Sequence, residues 1–343
     1  MVPINNNNIE PLKAEMCVPG NAKIYEFSKK HNIFYAKTGK LIIAENEKEA
    51  EFIAGLYKRS LENGVPGVEI LDKTDVKRLE PNIDAYCALY APETGIVDSV
   101  ELARKLYQLA EENNACFAFG NKVIAIEPMS DAFKVTLETT DRHETCEIMA
   151  NTIINAAGLY FDEITKLLDP DSPYEAKASK NKWSIFEPVN DGLRIKTNIY
   201  PIPCAVSDIQ KLDLSFTEYE RHIQECIAIR SLGVHLTPTV QGAISIGPMV
   251  IKGSGKDDFG LNDNSESLQR FLCSVSSFFP NLALDDIKSY QIGNQVKILE
   301  KERIHPDFLI KRYEKYPNFI NVVGDSPGLT CVFPIAGYVA KLF

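Results

Sequence analysis

Two segments in opposite halves of the chain are built the same way: an apolar strand runs into a loop of small residues, and the loop opens a helix. The first is Glu147 to Ile154, then Asn155-Ala156-Ala157-Gly158, then a helix over Leu159 to Leu168. The second is Phe319 to Gly324, continuing through Asp325-Ser326-Pro327-Gly328-Leu329-Thr330 into a C-terminal helix. Small side chains at such a joint let backbone N–H groups approach a ligand at a helix N-terminus. A tight strand-to-helix turn uses the same residues, so the pattern by itself leaves ligand site and plain turn both open.

The rest of the chain reads around these joints. Leu12, Met16, Ile24 and Phe27 recur at helical spacing over Pro11 to His31, interrupted by Pro19-Gly20. Ile33 to Tyr35 and Lys40 to Ala44 read as strands, Glu47 to Asn63 as an amphipathic helix ended by Gly64, and Val68 to Leu71 as a short strand. A helix is predicted over Ser99 to Asn113, then strands over Cys116 to Phe119, Lys122 to Glu127 and Phe133 to Glu138. Up to Leu168 this is the strand and helix order of an α/β half-sheet. From Pro170 the pattern turns strand-rich, with Tyr200 to Pro203, Gly233 to Thr237, Ala243 to Pro248, Ile287 to Ile298 and Phe308 to Lys311 as β-segments, and Ser265 to Phe279 as a crossing helix. An antiparallel second domain fits that stretch.

At 343 residues and 45% hydrophobic content, the chain has enough apolar material for two joined cores, since lengths beyond about 250–300 residues usually split. A net charge of -10 and a pI near 5.2 argue against nucleic acid or an anionic membrane surface as the main partner. No run approaches the roughly 18 apolar residues of a membrane span, and no targeting pattern is visible. A cytoplasmic location is therefore expected, or a mitochondrial one if a leader precedes Met1; the polar Met1 to Asn8 reads as a disordered leader. Cys17, Cys87, Cys116, Cys146, Cys204, Cys226, Cys273 and Cys331 form no C-x-x-C and no pairing with histidine, which predicts reduced, mostly buried thiols and no metal site. Gly253-Ser254-Gly255 joins no strand to a helix and reads as a solvent loop.

His235 is the residue best placed for direct chemistry. In the apolar strand Val234-His235-Leu236 an imidazole must face a site or find a buried partner, and a pKa near neutrality suits a general base. A hydrogen-bonded core histidine is the structural alternative. His31, His143, His222 and His305 lie in polar surroundings and read as surface residues.

Five segments follow one another in a telling order: YAKTGKLIIA (Tyr35 to Ala44), EPNIDAYCALYAPETGIVDS (Glu80 to Ser99), NAAGLYFDE (Asn155 to Glu163), Tyr200 to Pro203 with GVHLTPTVQGAISIGP (Gly233 to Pro248), and GDSPGLT (Gly324 to Thr330). In that order and spacing the chain resembles the FAD-dependent D-amino-acid-oxidase superfamily, and within it the L-2-hydroxyglutarate dehydrogenase-like branch, from about Leu12 to Phe343. The resemblance implies an α/β fold: an incomplete FAD-binding half-sheet, Rossmann-like of the GR2 type, built from discontinuous segments, plus an antiparallel-sheet substrate domain. It places residues 1–32, 92–170 and 305–343 in the first and 33–91 and 171–304 in the second.

It also implies FAD as cofactor, with Val123 at the adenine half, Ala156, Ala157 and Gly158 in one loop, and Gly324, Ser326, Pro327, Gly328, Leu329 and Thr330 against the flavin ring. His235 becomes the catalytic base, with Lys182, Tyr200 and Gln295 at the substrate, a 2-hydroxy acid oxidised to the 2-oxo acid.

Three departures stand against the family pattern. The strand, G-x-G-x-x-G turn and helix that open the family's FAD domain do not occur, so the pyrophosphate lacks its usual glycine turn. Gln295 occupies the place of an arginine that would grip the substrate carboxylate, and Trp183 follows Lys182 where the family has glycine, which should crowd the cavity. Two functions follow as alternatives: an FAD-dependent L-2-hydroxy-acid dehydrogenase, or a truncated or degenerate, non-catalytic family member that does not hold FAD by itself. An open sheet edge would make the chain oligomeric, or dependent on a partner chain that covers it.

Overall fold

The computed structural model describes residues 11–188, 191–202, 233–261 and 265–343, together with Glu218. The sequence readings on Met1 to Asn8, Pro203, Cys204, His222 and Cys226 lie outside the described residues.

A nine-stranded sheet dominates. From one edge to the other its strands are Arg303–Ile304, Lys288–Glu300, Tyr174–Phe186, Ile244–Val250, His235–Pro238, Asn198–Pro201, Lys40–Ala44, Cys87–Ala91 and Glu69–Asp72. Every pairing is antiparallel except Asn198–Pro201 with Lys40–Ala44, which run parallel. One face packs on the helix Ser265–Val275 through Leu41, Ile43, Ile199, Leu236, Ile246, Phe271 and Phe279. At the far edge the opposite face is covered by the amphipathic helix Glu47–Glu62, whose Ile53 and Leu56 meet Ile42, Ala44 and Leu89.

Tyr174–Phe186 is a 13-residue strand paired along its length with Lys288–Glu300. The two halves of this ribbon enter different cores: Phe186 and Ile287 belong to the core under Ser265–Val275, while Tyr174, Ala176, Val296 and Ile298 join Phe161, Leu309 and Phe319. The ribbon thus bolts the large sheet to the smaller ones, and its first strand has no local signature, because Lys177, Lys180 and Lys182 break any apolar alternation.

The segment from Cys116 to Ala150 differs from its predicted run of strands in one place. Cys116 to Phe119 forms no strand, and Asn121–Pro128, Phe133–Thr139 and Thr145–Ala150 make an antiparallel meander of their own. Only Ile153–Asn155 joins Tyr316–Val323 in parallel, with Leu309–Tyr313 on the far side. In that three-stranded sheet Ile153–Asn155 is the outer strand, and Ile154 is 47% exposed.

Pro11–His31 is one continuous helix despite Pro19. Gly20 is there for contact: a Cβ on it would lie 2.2 Å from the Thr330 carbonyl oxygen. The helix backbone therefore sits directly on the Gly324 to Thr330 loop, and this packing overrides the local cost of the proline. The cysteines also differ from expectation. Among the described residues only Cys17 and Cys331 are buried, while Cys116, Cys146 and Cys273 are exposed. His305 is half-buried with Nδ1 3.7 Å from Glu300, not a free surface residue.

Candidate functional site

The two small-residue loops lie side by side, because the strands that feed them are parallel and in register, Asn321 opposite Asn155. The joint is fastened by a buried amide. Asn155 Nδ2 donates to Asn321 Oδ1 at 2.9 Å and to the Phe161 carbonyl at 2.8 Å, while the Thr165 hydroxyl donates to Asn321 Oδ1 at 3.0 Å. Asn155→Ala should leave those acceptors short of a donor and cost about 1–2 kcal/mol of stability. Urea unfolding measures it, and an unchanged midpoint would mean the network is dispensable.

Beyond Asn155, Ala156 and Ala157 are exposed, and Gly158 turns the chain at φ +56°, with open space where a Cβ would stand. In the second loop Gly328 closes a tight turn, its N–H 2.6 Å from the Asp325 carbonyl. Asp325 is held between Lys13 at 3.0 Å and Lys297 at 3.8 Å, and Leu329 stays 50% exposed. Thr330 and Leu329 line a cavity of about 270 Å³ with Asn21, Tyr25, Ile96 and Val97, which joins the GIV of the second sequence segment to the last. Gly324, Ser326, Pro327, Gly328, Leu329 and Thr330 are thus gathered next to Ala156, Ala157 and Gly158 at the carboxyl ends of two parallel strands, the place where α/β sheets bind ligands. Val123 is apart from them, on the meander strand Asn121–Pro128, packed against the Phe161 core.

The second group of residues shares one face of the large sheet. Strand parity and register put Lys40, Tyr200, His235, Gly247, Trp183 and Gln295 on the face away from the helix Ser265–Val275. The Tyr200 and His235 rings stack with centroids 4.0 Å apart at 16°, and the Lys40 ammonium lies 4.0 Å from the Tyr200 centroid. His235 Nδ1 is 3.0 Å from Thr237 Oγ1. Gly247 and Gly293 leave room for the Trp183 indole: a Cβ on either would meet it at 2.6 or 3.4 Å. The indole therefore lies flat across its neighbouring strands.

Lys182 is on the opposite face, fully buried, with Nζ 2.8 Å from Ser267 Oγ. The structure does not bring it to His235, Tyr200 and Gln295.

Enclosure decides the charges here. Burial first, and the Lys40 charge second, hold the His235 imidazolium down to about 3. Burial likewise lowers Lys40 to about 8 and pushes Tyr200 up to about 12, the latter partly opposed by a hydrogen bond from Thr237. The imidazole is thus neutral across the physiological range, well below the near-neutral value expected from sequence. Lys40 is the residue that sequence reasoning passed over: it reads as the polar start of an apolar strand, yet all five residues of Lys40–Ala44 are buried.

The fold and the paired loops define a flavin-type oxidoreductase scaffold, and the family comparison agrees: the model for FAD dependent oxidoreductases of the DAO family matches residues 5–342. The chain belongs to that family, whose cofactor is FAD. Among its relatives, the mitochondrial L-2-hydroxyglutarate dehydrogenase of Homo sapiens is 28% identical over 308 residues, covering 85% of this chain and 61% of that protein. The glycerol 3-phosphate dehydrogenase of Caloramator mitchellensis is 27% identical, over 96% of this chain and 62% of its own. The chain therefore spans about three-fifths of the length of these relatives. In three dimensions it is similar to the dithionite-reduced, FAD-bound L-alpha-glycerophosphate oxidase of Mycoplasma pneumoniae, with a TM-score of 0.78 at 20% identity, over 100% of this chain and 82% of that one. The L-proline dehydrogenase of P. horikoshii follows at 0.74 and 16%. Among the described residues there is no helix long and apolar enough to cross a membrane, and no cluster of His, Cys, Asp and Glu that could hold a metal.

Proposed function

We propose that this chain carries the substrate-oxidising site of an FAD-dependent dehydrogenase acting on an L-2-hydroxy acid of the L-2-hydroxyglutarate type. The observation that supports this most is the neutral His235, stacked on Tyr200 in an enclosed sheet face and fixed through Nδ1 to Thr237. With Nδ1–H donating to Thr237, the Nε2 lone pair is free to accept the proton of a substrate hydroxyl. FAD, when bound, supplies the acceptor for the hydride from C2. Its fit is argued from the paired loops, where small residues and open space at Gly158 leave backbone N–H groups within reach of a flavin nucleotide's polar edge.

In this reading residues 33–91 and 171–304, which contain every strand of the large sheet, form the substrate domain, and 1–32, 92–170 and 305–343 form the cofactor domain. The open outer edge at Ile153–Asn155 favours a second reading, in which the chain holds FAD only when a further strand pairs with that edge.

The test is flavin absorbance of the FAD-loaded, desalted protein, followed by anaerobic bleaching with L-2-hydroxyglutarate. Retained flavin that bleaches with L-2-hydroxyglutarate and not with glycerol 3-phosphate is the expected result. Retained flavin that no 2-hydroxy acid bleaches would overturn the substrate assignment, and loss of flavin on desalting would favour the second reading. In the same assay Gln295→Arg should lower KM on the order of tenfold, since a bidentate contact to a carboxylate is worth about 1.4 kcal/mol or more. An unchanged KM would place the carboxylate away from Gln295.

A further inference from the structure

Four lysines are buried among the described residues: Lys13, Lys40, Lys180 and Lys182. Three of them have partners that account for the burial. Lys13 is 3.0 Å from Asp325, Lys180 is 2.5 Å from Asp258 and donates to the Gly260 carbonyl, and Lys182 donates to Ser267. Lys40 differs. It is 4% exposed, and its ammonium lies 4.0 Å from the face of the Tyr200 ring and within the field of Cys17, with neither an ion pair nor a hydrogen bond among the described residues.

A ring face replaces only part of an ammonium's hydration, so a lysine here costs the fold more than an aliphatic residue would. The strand gives no packing reason for it either, since its neighbours on the same face, Ile42 and Ala44, are apolar. What the ammonium faces is the stack of Tyr200 on His235. Gln295, on the same sheet face, is uncharged and brings no cation of its own.

We propose that Lys40 is the anion anchor of this site, its buried ammonium holding a carboxylate of the substrate beside the Tyr200–His235 stack. The assignment rests on the 2-hydroxy-acid reading for the identity of the substrate, but the anchor itself requires only a carboxylate. An anion placed there would supply a counter-charge that Lys40 lacks among the described residues. It would also offset the positive field that Lys40 exerts on His235, so that holding the carboxylate and readying the imidazole for a proton become one event. Lys40 is then a specificity-determining residue: it selects acids over the corresponding amides or alcohols, because only an acid brings the missing charge.

The experiment is calorimetric titration of the 343-residue chain, supplemented with FAD, using L-2-hydroxyglutarate, glutarate and the neutral diamide glutaramide. The wild type should bind both acids and not the diamide. Lys40→Met should weaken both acids on the order of ten- to a hundredfold, and Lys40→Arg should stay within a few-fold of the wild type. Equal affinity of Lys40→Met and wild type for the acids would overturn the anchor, as would wild-type binding of the diamide as tight as that of glutarate, or no binding of either acid.

The hydroxy-acid reading fails in a different way, through glutarate and L-2-hydroxyglutarate binding alike with neither oxidised, while the dependence on Lys40 persists. Should Lys40→Met not fold, the wild-type chain labelled with [ε-13C]lysine decides. The Lys40 signal, assigned by its loss in Lys40→Arg, must move on saturation with glutarate, and a stationary signal would overturn the proposal.

Discussion

Replacing His235 by alanine should lower kcat for L-2-hydroxyglutarate oxidation by roughly 10²–10⁴-fold, the range that a positioned general base contributes. The size follows from the surroundings of the ring. Its Nδ1 is 3.0 Å from Thr237, its face lies on Tyr200, and its pKa is held down to about 3 by burial and then by Lys40, so the imidazole enters the reaction neutral. Burial, the larger cause, persists in the complex, but the smaller one, the Lys40 charge, can be answered. A bound carboxylate beside Lys40 supplies that answer, which is why alanine at 235 should reduce kcat more than it raises KM.

The same charges fix the pH profile. Protonation of His235 in the free protein limits activity only near pH 3, so kcat/KM should be flat through neutrality. Above pH about 8 it should fall as Lys40 loses its proton. Stopped-flow bleaching of the flavin over pH 5–10, a range chosen for the assay, measures both effects. A His235→Ala protein with wild-type kcat and a lowered melting temperature would make His235 a core residue.

What the sequence made legible was local chemistry with its own punctuation. Asn46, whose side chain accepts from the Glu49 N–H, and Asp98, which does the same for Val100 and Glu101, start the helices Glu47–Glu62 and Ser99–Glu112 close to where their patterns begin. Asn155 to Gly158 and Gly324 to Thr330 were legible as strand-to-helix joints because small residues mark such joints, with or without a ligand. Pairing was harder to read. Nothing local says that Ile153–Asn155 leaves the meander to join Tyr316–Val323, since the bond is made by two buried asparagines far apart in sequence. Nor does an isolated lysine in Tyr174–Phe186 reveal which face it takes. A bulge between Lys182 and Ser184 shifts the register there, and Lys182 ends under the helix while Trp183 lies on the site face. Lys40 was hidden for a related reason: alternation identifies a strand with one wet face, and Lys40–Ala44 has none.

Lys40→Met should make the ligand-free chain more stable at pH 7, by about 1–3 kcal/mol, a shift of several degrees in Tm for a domain of this size. Burial lowers the ammonium from 10.5 to about 8, and each unit corresponds to about 1.4 kcal/mol between the two protonation states, so the charged form is penalised by roughly 3 kcal/mol. Loss of the contact with Tyr200 returns about 0.5–1 kcal/mol of that. The sign follows from proton counting. Between pH 8 and 10.5 the unfolded chain holds a proton on Lys40 that the folded chain has released, so wild-type stability rises with pH across that window, and below pH 8 the whole penalty is present. The advantage of Lys40→Met should therefore be largest at and below neutrality and shrink as the pH rises from 8 to 10.5.

Glutarate should reverse the order at pH 7, because it stabilises only the form that binds it, by RT ln(1 + [L]/Kd). Denaturant unfolding at pH 7 and pH 10, with and without glutarate, reads all of this in one series. A Lys40→Met protein less stable than the wild type at both pH values would mean that the ammonium supports the fold itself. A more stable variant that no longer responds to glutarate would mean that the strand carries its buried charge for the ligand.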